Sequence, residues 1–114
     1  MTHHQIDTDY LIAGSGAVGM AFADVLLSES DATIVIVDRY AKAGGHWNVA
    51  YPFVTLHQPS SFYGVSSTEL SSGRTDKVGL NVGMGELATG AQVSAYFDDV
   101  MRTRFLSSGR VQYF

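Results

Sequence analysis

The rhythm of apolar and polar positions changes along this chain, and each change marks an element. Residues 1–8 are a polar lead-in, followed by an apolar run that ends at Gly14. A short apolar run closed by glycine predicts a buried strand over Asp9–Ala13. From Ala17 to Ser28, Met20, Ala23, Val25, Leu26 and Leu27 recur at helical spacing before the polar "SESD" stop. Thr33–Val37, "TIVIV", is β-branched and continuous, the pattern of a second buried strand. Strand, helix and strand in about thirty residues make a βαβ unit, with parallel strands and a right-handed crossover.

Periodicity then fades. Ser60–Gly90 holds six glycines and six serines in 31 residues, too long a structureless stretch for a compact domain unless it is functional or packs on something else. Order returns at "TGAQ", a capping box with Thr89 as N-cap and Gln92 three residues on. Val93, Tyr96, Phe97, Val100 and Met101 mark one helical face, and Asp98 with Arg102 forms an i,i+4 pair. Gly109 suits a left-handed stop. "RVQYF" alternates like a strand and the chain ends inside it, so we expect an N-terminal piece of a longer protein. There is no internal repeat.

Composition narrows the class. The 114 residues are 46% hydrophobic and 16% charged, which describes one globular domain rather than a disordered chain. A net charge of −4 favours neither nucleic acid nor an anionic membrane. With no cysteine there is no disulfide scaffold, thiol nucleophile or thiolate-held metal. The uncharged run Tyr10–Ala23 is too short to span a bilayer and is preceded by Asp7 and Asp9, where a signal peptide would carry positive charge. We therefore expect a cytoplasmic protein acting on a small-molecule substrate. His3 and His4 are an isolated pair, and no metal site is expected.

The chemistry lies in the turn between the first strand and helix. Gly14, Gly16 and Gly19 form G-x-G-x-x-G: the first for a tight turn, the second for close approach of a pyrophosphate, the third for helix–strand packing. Ser15 and Ala17 are small and keep that approach open. The helix N-terminus directs free N–H groups and a positive dipole end at the phosphates. Asp38 ends the second strand, where an acid hydrogen-bonds ribose hydroxyls and repels a 2′-phosphate; Arg39 beside it softens the repulsion. FAD and NAD both satisfy these features.

"GGHW", Gly44–Trp47, separates the two. A nicotinamide dehydrogenase needs no glycine pair six residues past the acid, whereas a long FAD needs backbone that can come close. The three-glycine turn, Asp38 and G-G-x-W together resemble the N-terminal FAD-binding region of the two-dinucleotide flavoproteins, and Tyr51-Pro52 makes the region similar to the flavin-containing monooxygenases. The resemblance covers Asp9–Tyr63. It implies an α/β, Rossmann-like FAD/NAD(P)-binding fold with a parallel sheet, and an FAD-dependent oxidoreductase reduced by NAD(P)H. It implies that Gly14, Gly16 and Ala17 line the pyrophosphate, that Asp38 takes the ribose, and that Gly45, His46 and Trp47 lie along the cofactor. His57 and Gln58 are the candidates beside the flavin ring. For Trp47 a place in the core is an equal alternative. No catalytic residue is identified. The expected organisation is one incomplete FAD-binding domain over 1–114, inactive by itself: a βαβ unit at 9–38, a cofactor loop at 39–63, a Gly/Ser-rich loop at 64–88 and a helix at 90–106. An NAD-dependent dehydrogenase and a noncatalytic dinucleotide-binding fragment remain as alternatives.

Overall fold

The computed structural model describes residues 5–51, 53–56, 60, 63–70 and 83–114. Three parallel strands form its sheet: β1 at Tyr10–Ala13, β2 at Ile34–Val37 and β5 at Val111–Tyr113, in the spatial order β1-β2-β5. Tyr10 pairs with Ile34 and Ala13 with Val37; Ile34 pairs with Val111 and Ile36 with Tyr113. The fold is mixed α/β, as the strand–helix–strand pattern predicts.

Between β1 and β2 runs α1, Ala17–Glu29. Its last turn has no basic residue of its own. Arg110 supplies the missing cation from the start of β5, donating to the carbonyls of Leu26, Leu27, Ser30 and Ala32. A guanidinium at the negative end of a helix satisfies orphan carbonyls and offsets the dipole. It also ties β5 to the far end of the α1 connection.

The second helix, α2, spans Gly90–Val100 and starts with the full capping box of Thr89 and Gln92. The pattern predicts one helix to residue 106. Instead, the coil widens to a π turn at Met101–Phe105 and tightens to a 3-10 turn at Leu106–Ser108. Gly109 then ends it at φ 75°, in the left-handed region. Asp98 and Arg102 pair at 3.0 Å. Inside the segment expected to be a Gly/Ser-rich loop, Gly64–Val65 (β3) and Thr68–Glu69 (β4) form a small antiparallel hairpin. Its polar sequence has too few residues to show a strand period.

One face of the sheet carries the core. Ile34 and Ile36 of β2 and Val111 of β5 meet Met20 and Ala23 of α1, and Val93, Phe97, Val100 and Phe105 fill the space beneath. β1 departs from expectation. It is apolar in sequence, yet Tyr10 is 43% and Leu11 66% exposed, and Ala13 is exposed as well. Among the described residues nothing pairs with its outer edge or covers Leu11 and Ala13 on the opposite face. No helix among the described residues is long and apolar enough to cross a membrane.

Candidate functional site

The carboxyl ends of β1 and β2 meet at the glycine turn. Gly14 takes φ 105°, a conformation that requires glycine, and its N–H donates to Val37 O at 2.7 Å. Gly19 is needed for a different reason: a Cβ there would lie 2.4 Å from Gly14 O. Gly16 is unlike both. Its φ is −77°, and the nearest atom to a Cβ built on it is Gly45 Cα at 3.8 Å, ordinary contact. Among the described residues nothing requires glycine at 16. The side chain it lacks would stand in ordinary contact with Gly45 at the start of α1, where Gly16 is the N-cap without any side-chain cap and the first turn holds no acid. Helix N–H groups there have no side chain to satisfy them, the arrangement that suits an anion.

Two clefts flank this point. One, about 640 Å³, is lined by Gly14, Gly16, Asp38, Arg39, Tyr40 and His46, among others. The other, about 540 Å³, lies over Ile12, Ala17, Val18, Gly19 and Phe22. They share Gly14, Gly16 and His46. A two-part ligand joined by phosphates can therefore straddle the turn, with a polar half toward β2 and an apolar half toward β1. The residues fit a dinucleotide such as FAD on the ground that a Cβ at Gly16 would fill the crest between the clefts.

Asp38 is bonded within the chain. Its Oδ2 accepts from Ser15 N at 2.7 Å and Ser15 Oγ at 2.8 Å, and Oδ1 accepts from Tyr40 N at 2.9 Å. Burial pushes the carboxyl up; the N–H groups of Ser15 and Tyr40, the Ser15 hydroxyl and the Arg39 N–H push it down and prevail, holding it below its ordinary value of 3.8. A charged Asp38 thus keeps the turn docked on the end of β2, with lone-pair capacity left on Oδ1. Arg39 is exposed, its guanidinium 5.3 Å from the centre of the Tyr40 ring.

The glycine pair packs on the turn itself. Gly44 N donates to Ser15 O at 2.9 Å. Gly45, at φ 58°, comes so near that a Cβ on it would stand 2.9 Å from Gly16 Cα. Gly45–Val49 then forms a 3-10 turn. It turns His46 out to the clefts and Trp47 inward, where Nε1 donates to Tyr63 Oη at 3.0 Å. Trp47 lines neither cleft; its ring faces Tyr63 and the start of α2 at Gly90. His57 and Gln58 lie outside the described residues. A further depression, lined by Leu70, Gln92, Tyr96 and Arg102, holds none of the expected site residues.

Sequence reasoning missed Tyr40, Val49 and Tyr113. Tyr40 and Val49 line the polar cleft. Tyr113 donates to Tyr40 O at 2.6 Å and stands 3.3 Å from Ser15 Oγ. The alternation of "RVQYF" puts Tyr113 on the face of Val111, but only the pairing of Tyr113 with Ile36 brings it to the turn. Among the described residues no group of acids and histidines could hold a metal ion.

No protein-family model matches the chain. Uncharacterized proteins of two Mycobacterium tuberculosis strains and of Mycobacterium bovis are 53% identical to it over 109 residues, 96% of this chain and 20% of each relative. The chain thus spans about a fifth of the length of the curated relatives it matches. Among solved structures, it is similar in fold to a flavin-containing monooxygenase from Stenotrophomonas maltophilia, with TM-score 0.64, 22% identity, and coverage of 92% of this chain and 28% of that one. A double mutant of a flavin monooxygenase from the same organism gives TM-score 0.58 and 24% identity at the same coverage. At these identities the likeness is one of fold: Rossmann-like, α/β, with a parallel sheet.

Proposed function

We propose that these residues are the FAD-binding part of an FAD-dependent oxidoreductase of the flavin-monooxygenase kind, reduced by NAD(P)H and acting in the cytoplasm on a small-molecule substrate. The observation that carries this reading is Gly16. Among the described residues no contact requires glycine there, whereas a phosphate seated on the start of α1 would. The flavin-monooxygenase fold neighbours and the glycine pair against the turn add support.

Bound flavin would supply the redox chemistry, and the chain supplies binding, orientation and shielding from water. The N–H groups at the start of α1 hold the diphosphate. Asp38, anionic and fixed by Ser15 and Tyr40, offers its remaining Oδ1 lone pair to a ribose hydroxyl. His46 stands at the crest between the clefts, beside the diphosphate's place. The apolar cleft over Ile12, Val18 and Phe22 takes the ring-bearing half out of water. Domain 1–114 is in this reading the first of the two dinucleotide-binding parts of such a protein.

The test is calorimetric and optical titration of the intact protein with FAD and, separately, NAD. Tight FAD binding with a shifted flavin absorbance, and NAD at least about a hundredfold weaker, is the expected result. NAD binding ahead of FAD would overturn it in favour of a nicotinamide dehydrogenase. Binding of neither would overturn the dinucleotide site itself.

A further inference from the structure

A continuous line of hydrogen bonds leads from the third strand to both walls of the polar cleft. It begins at Tyr113, the last residue of β5, whose hydroxyl donates to Tyr40 O at 2.6 Å. The same residue, Tyr40, donates its N–H to Asp38 Oδ1 at 2.9 Å. Asp38 Oδ2 holds Ser15 by both N–H and hydroxyl, and Ser15 O accepts from Gly44 N. The two hydroxyl protons are both placed: Ser15 gives its own to Asp38 and Tyr113 gives its own to Tyr40. The two oxygens also stand 3.3 Å apart, which links Tyr113 to Ser15 directly. Ser15 is fully buried, which shelters its two bonds to Asp38 from water, while Asp38, Tyr40 and Tyr113 are half-buried. Bonds chained through shared residues depend on one another.

Each link fixes a part of the cleft. Tyr40 and Asp38 form its β2 wall, and Gly44 anchors the loop that carries Gly45 and His46 on the other side. The loop 39–44 has no regular structure to hold it. Tyr113 grips that loop at Tyr40 through its hydroxyl.

We propose that Tyr113 is a positioning residue for dinucleotide binding: through Tyr40 and Asp38 it sets the distance between the glycine turn and the wall that faces the ligand. This deepens the FAD reading and rests on it for the ligand, while the line of bonds stands on geometry alone. Tyr113→Phe removes one hydroxyl and keeps the ring in its packing. In the intact protein without ligand, amide exchange at Ser15, Tyr40 and Gly44 is expected to speed up several-fold, with exchange in α2 unchanged. FAD affinity is expected to fall about tenfold, the scale of one lost hydrogen bond, with the thermal midpoint close to the parent's. Combined with Asp38→Asn, Tyr113→Phe should add nothing further, because both act along one line. Parent-like exchange at Ser15 and Gly44 in Tyr113→Phe would overturn the proposal, as would additive losses in the double variant. Ser15→Ala, which removes the hydroxyl bond to Asp38 and leaves the N–H bond, should speed exchange at Tyr40 to a smaller degree and serves if Tyr113→Phe does not fold; no change at Tyr40 in it counts against the coupling. Failure of the parent to bind FAD would sink the flavin reading, and the exchange measurements would still decide the role of Tyr113.

Discussion

Three glycines within six residues serve three purposes, and only one purpose is outward. Gly14 answers to φ 105°, Gly19 to a 2.4 Å approach of Gly14 O, and Gly16 to neither. Gly19→Ala should therefore cost about 1–3 kcal/mol of stability, as overpacking does, read as a lowered urea midpoint. Gly16→Ala should melt with the parent and lose FAD affinity at least about tenfold. A Gly16→Ala protein that melts early would move this glycine to the fold, and one that binds like the parent would remove it from the site. Asp38 yields a second prediction. Its carboxyl titrates lower in the folded chain than in the unfolded one, so the unfolded chain takes the proton first as pH falls. Its contribution is whole above the ordinary value of 3.8 and is lost as pH falls below it. The stability gap between the parent and Asp38→Asn, measured by urea melts, should accordingly close in acid and open again above about pH 5. A gap independent of pH would mean that the charge contributes nothing.

Between elements, buried polar pairs replace the apolar contacts that a short hairpin cannot make. Tyr96 on α2 accepts from Val65 N at 2.8 Å and donates to Thr68 O, so one hydroxyl grips both strands of the β3–β4 hairpin. Asp24, fully buried on α1, holds the connecting turn through Ser67 N at 3.0 Å and is paired with Arg104 at 2.6 Å. Tyr96→Phe should lower stability by about 1–3 kcal/mol, because the Val65 N–H loses its partner. Burial first, and then the nearby Asp24 charge, push the phenol above its ordinary value of 10.0, against the Val65 N–H, which pulls it down. The hairpin is thus docked by a neutral hydroxyl, and this part of the stability is whole below pH 10 and lost as pH rises further. Exchange of the Val65 amide against pH in parent and Tyr96→Phe would check both statements. The helical pattern in residues 90–106 was legible, as was its capping box. The π widening at Met101–Phe105 was not; it occurs where Phe105 is seated in the core and Arg104 pairs with Asp24, contacts distant in sequence.

At the scale of the molecule the sheet is unevenly covered: β2 is buried on both faces, Val35 included, and β1 is open. Ile34, Ile36 and Val111 face a packed core, while Leu11 and Ala13 on the reverse and Val18, Phe22 and Val25 on α1 lie open. A parallel sheet is ordinarily covered on both faces, and an apolar strip of this kind is uncommon on a free-standing domain. The 114 residues by themselves should bind a hydrophobic dye and associate as concentration rises. Leu11→Lys with Val18→Glu should reduce both without changing the far-ultraviolet spectrum. Dye binding unaffected by that pair would place the adhesive surface elsewhere.

What the sequence determined alone was local. The β-branched run at 34–37, the spacing of Gly14, Gly16 and Gly19, and the Thr89–Gln92 box each depend on neighbours within a few residues, where propensity, φ preference and capping act directly. The glycine pair could be picked out as a place of close approach, but its partner in that approach, Gly16, came only with the fold. The same holds for Trp47, turned in toward Tyr63, and for Tyr113, brought to Ser15 across 98 positions by strand pairing. The exposure of β1 belongs with these. Burial is a property of what lies opposite a residue, and an apolar run states only that something should.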